Sequence, residues 1–348
     1  MDKLRLDRET GMNSLNNTSL KPYNTFGIDQ HASEIWEIHT DADVQQMVTQ
    51  LGQKKLLILG GGSNILLTRD FDGVVVLNRL KGLHGKPLED QRVLVSARAG
   101  ENWHKFVLWT LENNWYGLEN LSLIPGCVGA APMQNIGAYG VEIKDLFHSL
   151  DAVHLQTGEH RTFSREECQF GYRESIFKRE LAGQYLITDV RFILSKQAQV
   201  HTAYGAIADE LRHMGIENPS PSDVSNAVIA IRSSKLPNPA EIGNAGSFFK
   251  NPVVEMALVQ KLQANYPSLP VYPVDENHAK VAAGWLIEQA GWKGFEKEGR
   301  YGVHKKQALV LVHYRNATGI EIWKLSEDII RDVEHKFGIA LEREVNIL

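Results

Sequence analysis

Cysteine is scarce. The 348 residues hold only Cys127 and Cys168, too few for a disulfide framework and not spaced as a Cys-x-x-Cys pair. Long apolar runs are missing too: the longest, Leu56–Leu59, Val74–Leu77 and Leu309–Val312, fall far short of the roughly 20 residues that span a bilayer. Met1–Gly11 is dense in charge and lacks the apolar stretch of a secretory signal, so the glycosylation-like triplets at Asn16 and Asn17 read as chance. There is no basic excess. Lys and Arg total 37 against 42 Asp and Glu, a net charge of −5, which excludes the basic stripe of a nucleic-acid binder. Thirteen histidines lie without metal-ligand spacing, and no metal is expected. What remains is the composition of a cytoplasmic globular protein, long enough for about two or three domains.

The residues present sort into α/β-like segments. Residues 1–18 lack periodicity and read as a flexible leader. Thr40 and Asp43 form a capping box for a helix that presents Val44, Met47, Val48 and Leu51 on one face and stops at Gly52. Buried-strand patterns follow at Leu56–Leu59, Ile65–Leu67 and Val74–Leu77. Val93–Ala99 alternates as a strand, and Trp103–Leu111 has helical spacing. Strands are expected near Leu150–Leu155 and Tyr185–Leu194, with a Thr157-Gly158 turn between them. Ser222 is expected to cap a helix bearing Val224, Ala227, Val228 and Ile231. Lys235–Pro239 reads as a hinge. Beyond it come helices near Val254–Asn265 and Lys280–Ala290, a strand at Gln307–His313 and a longer helix through Ile322, Leu325, Ile329 and Val333. A closing strand then alternates through Leu341, Val345 and Ile347, with Glu342 and Glu344 on its other face.

Two glycine-rich segments stand apart. Gly60-Gly61-Gly62-Ser63-Asn64 follows a strand and offers successive backbone N–H groups, a nest for phosphate oxygens or else a tight turn. It lacks the third glycine of a dinucleotide fingerprint and the Lys-Ser/Thr of a P-loop. Ile124-Pro125-Gly126-Cys127-Val128-Gly129 and Asn135-Ile136-Gly137-Ala138-Tyr139-Gly140 lie in a long irregular stretch with few charges, which is unusual unless it serves a ligand. Together the two loops favour a dinucleotide. Arg173, in Gly171-Tyr172-Arg173, reads alone as a surface charge. Gly243–Pro252 places Ser247 among glycines and aromatics, in neither a nucleophile elbow nor a Ser-x-x-Lys motif.

Taken in order, Leu20–Gly27, Leu59–Asn64, Ala99–Trp103, Ile124–Gly140, Phe170–Lys178, Lys235–Pro237, Gly243–Pro252, Ala282–Ile287 and Leu341–Val345 resemble the UDP-N-acetylenolpyruvoylglucosamine reductase (MurB) family, in the form with a Tyr-bearing substrate-domain loop. The resemblance runs from about residue 19 to Leu348, with Arg343 where proline is familiar. It implies an α+β protein with two FAD-binding domains, 19–80 with 338–348 and 81–236, and a smaller α+β substrate domain at 237–337. It further implies noncovalent FAD held by Gly60, Gly61, Gly62, Ser63, Asn64, Ile124, Pro125, Gly126, Gly129, Asn135, Gly137, Ala138 and Tyr139. NADPH is the implied co-substrate, and the implied reaction reduces the enolpyruvyl group of UDP-N-acetylglucosamine enolpyruvate in peptidoglycan precursor synthesis. Arg173, Ser247 and Glu344 carry over as catalytic; Tyr204, Lys235, Asn251, Tyr272, Lys293 and Gln307 carry over as lining residues. A monomer is expected. The alternatives are an FAD-dependent alcohol or sugar oxidase with the same type of FAD domain, and a nucleotide-binding protein without catalysis.

Overall fold

The structure, a computed structural model, describes residues 12–348. Two compact units make up the described chain: residues 12–18, 32–61 and 71–232 form one, and residues 19–31, 62–70 and 233–348 the other.

In the first unit, four strands run in the order Asn13–Ser19, His31–Ile38, Phe71–Asn78, Leu56–Leu59, the last three parallel. Val74, Val75, Val76 and Leu77 are all buried, as a parallel strand covered on both faces requires. The helix Asp41–Leu51 forms as its capping box predicts: the Thr40 side chain accepts from the Asp43 N–H, and the Asp43 carboxylate accepts from the Thr40 N–H. A five-stranded antiparallel sheet follows in the order His160–Ser164, Phe147–His154, Tyr185–Ser195, Arg92–Arg98, Leu83–Pro87. Its core is aromatic, with Trp103 and Phe106 of the helix Trp103–Glu112 set edge-on or tilted against Phe192. The helices Gly205–His213 and Pro221–Lys235 add a small cluster of Ile207, Leu211, Val224, Val228 and Ile231, on which Tyr139 packs.

Several sequence expectations need correction here. Residues 13–18 are not part of a flexible leader but belong to an edge strand, with Met12 packed beside Trp36 and Met47; the strand escapes notice because its polar side chains face outward along an exposed edge. The remainder of the expected leader, residues 1–11, lies outside the described residues. The strands His160–Ser164 and Leu83–Pro87 and the helix Gly205–His213 carry too few apolar residues to show a period. Ser220, not Ser222, caps the following helix, exchanging hydrogen bonds with Asp223. Val153, Leu155 and Leu186 share a core with Trp36, Val44 and Val76, which is why residues 32–61 and 71–80 pack in one compact unit with 81–232.

The second unit holds three small sheets. Gly243–Asn244, Leu311–His313, Tyr301–Val303 and Glu296–Lys297 make one, and Val253–Glu255, His278–Val281 and Val271–Pro273 another. Ile65–Leu66 pairs in parallel with Asn346–Ile347, so the regular closing strand is two residues long. The helix Gly319–Phe337 starts at a Thr318–Glu321 capping box, ends at left-handed Gly338, and buries Ile322, Leu325, Ile329 and Val333. The helices expected near 254–265 and 280–290 each begin later, at Met256 and Ala283, because the residues before them pair as strands. Arg343 reaches the long helix: its Nε donates to Ser326 Oγ, and its guanidinium pairs with Glu327.

Candidate active site

In the first unit the two glycine-rich segments meet. A Cβ on Gly61 would stand 2.9 Å from the Gly126 Cα, and one on Gly60 would stand 3.2 Å from the Cys127 Cβ. The close approach therefore requires residues without side chains. The stretch from Glu119 to Gln134 is a run of single 3-10 turns, followed by a tight hairpin of Gly137–Ala138 against Val141–Glu142. Its backbone groups are satisfied one by one, which is why no period is visible in the sequence.

Asn135 is the hub of this segment. It is fully buried and left-handed at φ 44°, its amide donates to Gly171 O and Glu142 Oε2, and its Oδ1 accepts from the Lys144 N–H. Through Gly171 it fixes the next loop, where Arg173 is also left-handed at φ 56°. The Arg173 guanidinium donates to Gly137 O at 2.6 Å and lies 5.4 Å from the Tyr172 ring. The structure thus brings Arg173, which alone reads as a solvated charge, onto the second glycine-rich segment. Backbone strain at a non-glycine residue marks positions that the surroundings over-determine.

Tyr139 is left-handed as well, at φ 51°. Its ring meets the half-exposed Tyr204 ring edge-on at 5.5 Å, and burial raises the pKa of its phenol. Its hydroxyl is hydrogen-bonded to Arg232, whose Nε donates to Leu123 O at 3.3 Å. Asn120, fully buried, donates to both Tyr139 O and His201 O and so ties the segment before Tyr204 to the Tyr139 backbone. Sequence reading missed Arg232 and Asn120. Neither stands in a glycine-rich motif, and only the fold makes them neighbours of one.

In the second unit, Asn24 and Thr25 order the end of the first loop. The Thr25 N–H donates to Gly62 O at 3.1 Å, and a Cβ on left-handed Gly62 would collide with Tyr23 O at 1.9 Å. Asn64 donates to Glu344 O at 3.2 Å. The Glu344 N–H in turn donates to Phe248 O, and the Lys250 N–H donates to Glu342 O. Ser247 and Glu344, 97 positions apart in number, therefore sit on two short antiparallel segments bridged at Phe249 and Arg343. Ser247 follows left-handed Gly246 and is half-buried, while Phe248 and Phe249 anchor it from the core. Glu342 is largely exposed and pairs with buried Lys250; Glu344 is half-buried.

The other expected lining residues of this unit are spread out. Val253, Lys280 and Tyr272 stand in register across three strands, a row with one apolar, one cationic and one aromatic member. Lys280 was not anticipated, because a lone lysine before a helix carries no signal. Asn251 Oδ1 accepts from the Ala283 N–H at the start of the helix Ala283–Gln289, and Gln307 Oε1 accepts from the Leu309 N–H. Lys293 pairs with Glu288 at 2.9 Å. Lys235 is exposed at the end of its helix. Among the described residues, no group of three or more His, Cys, Asp or Glu is placed to hold a metal, and no helix is long and apolar enough to cross a membrane.

Two family models match this chain. Residues 33–164 match an FAD binding domain, and residues 238–348 match the C-terminal domain of UDP-N-acetylenolpyruvoylglucosamine reductase. With the glycine cradle already described, these define an α+β flavoprotein built from an FAD-binding region and a second, family-specific region. UDP-N-acetylenolpyruvoylglucosamine reductases from Pseudomonas fluorescens, Flavobacterium johnsoniae and Chromobacterium violaceum are 52%, 51% and 50% identical to it, each over 94–95% of this chain and 97–98% of the relative. The chain belongs to the UDP-N-acetylenolpyruvoylglucosamine reductase family. The crystal structure of the Thermus caldophilus reductase shares the fold, with a TM-score of 0.62 at 22% identity over 97% of this chain and 98% of that one. The residues present fit FAD: the two glycine-rich segments meet backbone to backbone at Gly61 and Gly126, inside the stretch that matches the FAD binding domain, and successive peptide N–H groups of such loops suit phosphate oxygens.

Proposed function

We propose that this protein catalyses the NADPH-dependent reduction of UDP-N-acetylglucosamine enolpyruvate to UDP-N-acetylmuramate, as a cytoplasmic monomer. The carrying observation is the pairing of the Ser247 segment with Glu344, in a chain whose relatives are named for this reductase. FAD held by the two glycine-rich segments would supply hydride transfer from NADPH to the enolpyruvyl CH2 carbon. The residues assigned to FAD are those of the two glycine-rich segments, with Asn135 and Tyr139 as their polar members. The functional domains are taken as 19–80 with 338–348, 81–236 and 237–337.

Hydride arriving at the CH2 carbon leaves negative charge on the α carbon and its carboxylate. Arg173 supplies the fixed planar cation for that carboxylate, with Glu344 assisting, and its own left-handed backbone and bond to Gly137 O hold it ready. The Ser247 hydroxyl then gives its proton to the α carbon; a carbanion is basic enough to take it. Glu342, held by Lys250 at an exposed position, is a poorer candidate than Glu344 for the acidic role. Tyr204, Lys235, Asn251, Tyr272, Lys293 and Gln307 line the nucleotide-sugar and NADPH site, with Lys280 beside Tyr272 as a cation for a phosphate.

The test is an absorbance spectrum of the purified protein before and after anaerobic NADPH. The expected result is a flavin spectrum that NADPH bleaches and the enolpyruvyl substrate restores. A reduced flavin that ignored this substrate but reacted rapidly with oxygen would overturn the proposal in favour of the oxidase.

A further inference from the structure

The turn that carries Arg173 does not hold itself. Gly171 and Glu174 face each other as an isolated bridge, with Tyr172 and Arg173 as the two residues of its tip. The Gly171 N–H donates to Glu174 O at 3.0 Å, but the return bond, from the Glu174 N–H to Gly171 O, is long at 3.4 Å. Tight tips favour glycine or asparagine wherever φ is positive, and here that place belongs to Arg173, at φ 56°. A conformation of this kind persists only where the surroundings enforce it.

Three hydrogen bonds from outside the turn do so. Asn135 Nδ2 donates to Gly171 O at 2.9 Å on one side of the tip, and Ser175 Oγ donates to Met133 O at 2.7 Å on the other. Between them the Arg173 guanidinium donates to Gly137 O at 2.6 Å. Residues 133, 135 and 137 of the irregular segment are thus linked to 175, 171 and 173. Asn135 and Ser175 are both fully buried and have no surface to offer a ligand. An amide has two N–H donors, and those of Asn135 go to Gly171 O and Glu142 Oε2. Ser175 spends its one proton on Met133 O and accepts from the N–H of Phe177, which packs edge-on against Phe163 in the core. Asn135 lies in the segment assigned to FAD, yet its side chain acts on the site only through what it holds. A solvated surface arginine would need neither pin.

We propose that Asn135 and Ser175 are positioning residues for Arg173: pinning the turn at Gly171 and Ser175 fixes where the guanidinium meets the substrate carboxylate. This rests on the reading of Arg173 as the cation for that carboxylate. The two pins touch neither NADPH nor the substrate, so they serve the second half of the reaction and not the first. A reacting group displaced by about 1 Å can cost roughly 10²-fold in rate.

The experiment measures both half-reactions by anaerobic stopped-flow absorbance, in native protein and in Arg173→Lys, each with and without Ser175→Ala. Asn135→Gly, which tolerates the left-handed backbone but lacks the amide, is tested in the same way, and Ser175→Ala alone decides where that variant fails to fold. Ser175→Ala is expected to keep its FAD and to be bleached by NADPH within twofold of the native rate. Reoxidation at saturating enolpyruvyl substrate should slow at least tenfold. In the Arg173→Lys background the same substitution should slow reoxidation by less than a further twofold, because the group it positions is already lost. A general packing defect would instead slow both backgrounds by the same factor, and that result would overturn the proposal. So would native-like reoxidation in Ser175→Ala, or loss of FAD with equal slowing of both half-reactions. Near-normal reoxidation in Arg173→Lys itself would instead overturn the role given to Arg173.

Discussion

Ser247→Ala should separate the two halves of the reaction. The substitution removes one hydroxyl from a half-buried side chain and little else. Among the described residues no hydrogen bond to that hydroxyl is formed, while the backbone bonds that set the segment run through its neighbours: Phe248 N–H to Leu309 O at 2.7 Å and Glu344 N–H to Phe248 O at 2.9 Å. Phe248 and Phe249 keep their places in the core, so the stability change should stay within about 0.5 kcal/mol. Flavin content and the rate at which NADPH bleaches it should match native protein. Reoxidation by the enolpyruvyl substrate should collapse, because a positioned general acid contributes roughly 10²–10⁴-fold, or about 3–5 kcal/mol of barrier. Anaerobic stopped-flow absorbance resolves both steps in one instrument. Equal slowing of the two would mean that Ser247 shapes a shared pocket, and an untouched second step would mean that the proton comes from elsewhere. Either result refutes the assignment.

Arg173→Lys keeps the charge but loses the planar fork, and its shorter reach breaks the bond to Gly137 O; kcat with the enolpyruvyl substrate should fall at least a hundredfold with FAD retained, and near-normal turnover in steady-state assays would return Arg173 to the status of a surface charge. Asp189→Asn tests the charged face of the antiparallel sheet, where burial pushes the Asp189 carboxyl up to about 6 although Arg191 lies 3.5 Å away. The folded protein binds that proton more tightly than the unfolded chain, so the penalty for ionisation is full above about pH 6 and fades as pH falls towards 4. The amide should therefore stabilise the fold at pH 7.5 by about 1–2 kcal/mol, after allowance for solvent screening. In urea titrations across pH that advantage should vanish by about pH 4, and a pH-independent difference would refute the reasoning.

What the sequence discloses divides by range. Local devices are legible: the Thr40–Asp43 capping box, the apolar run at Val74–Leu77 and the 3.6-residue period of Ile322–Val333 each depend on neighbours within a turn or two, and each appears where expected. Elements held by tertiary pairing are not. The edge strand Asn13–Ser19 and the strand His160–Ser164 exist because partners exist, and their own side chains are mostly polar. The site follows the same rule. The glycine segments announce themselves because close approach of backbones restricts the residue type, whereas Arg232 and Asn120 look ordinary until folding sets them against Tyr139. The resemblance supplied Arg173 and Ser247, and the structure supplies the reason each is held: Gly137 O for one, the Phe248–Glu344 bridge for the other.

The pairing of Ile65–Leu66 with Asn346–Ile347 has a consequence for how the chain acquires its shape. Asn64 and Thr68 bond to residues 280 positions later, and Leu348 O accepts from both the N–H and the hydroxyl of Thr68. Loop closure over that separation is slow, and it comes late. During synthesis the segment around residues 62–68 emerges early and waits, its edge groups exposed, while the sheets of residues 71–232 can already assemble from pairings of shorter range. Completion of the second unit thus waits for residues 344–348. Loss of residues 344–348 alone would leave the first unit able to form and the early segment permanently without its partner.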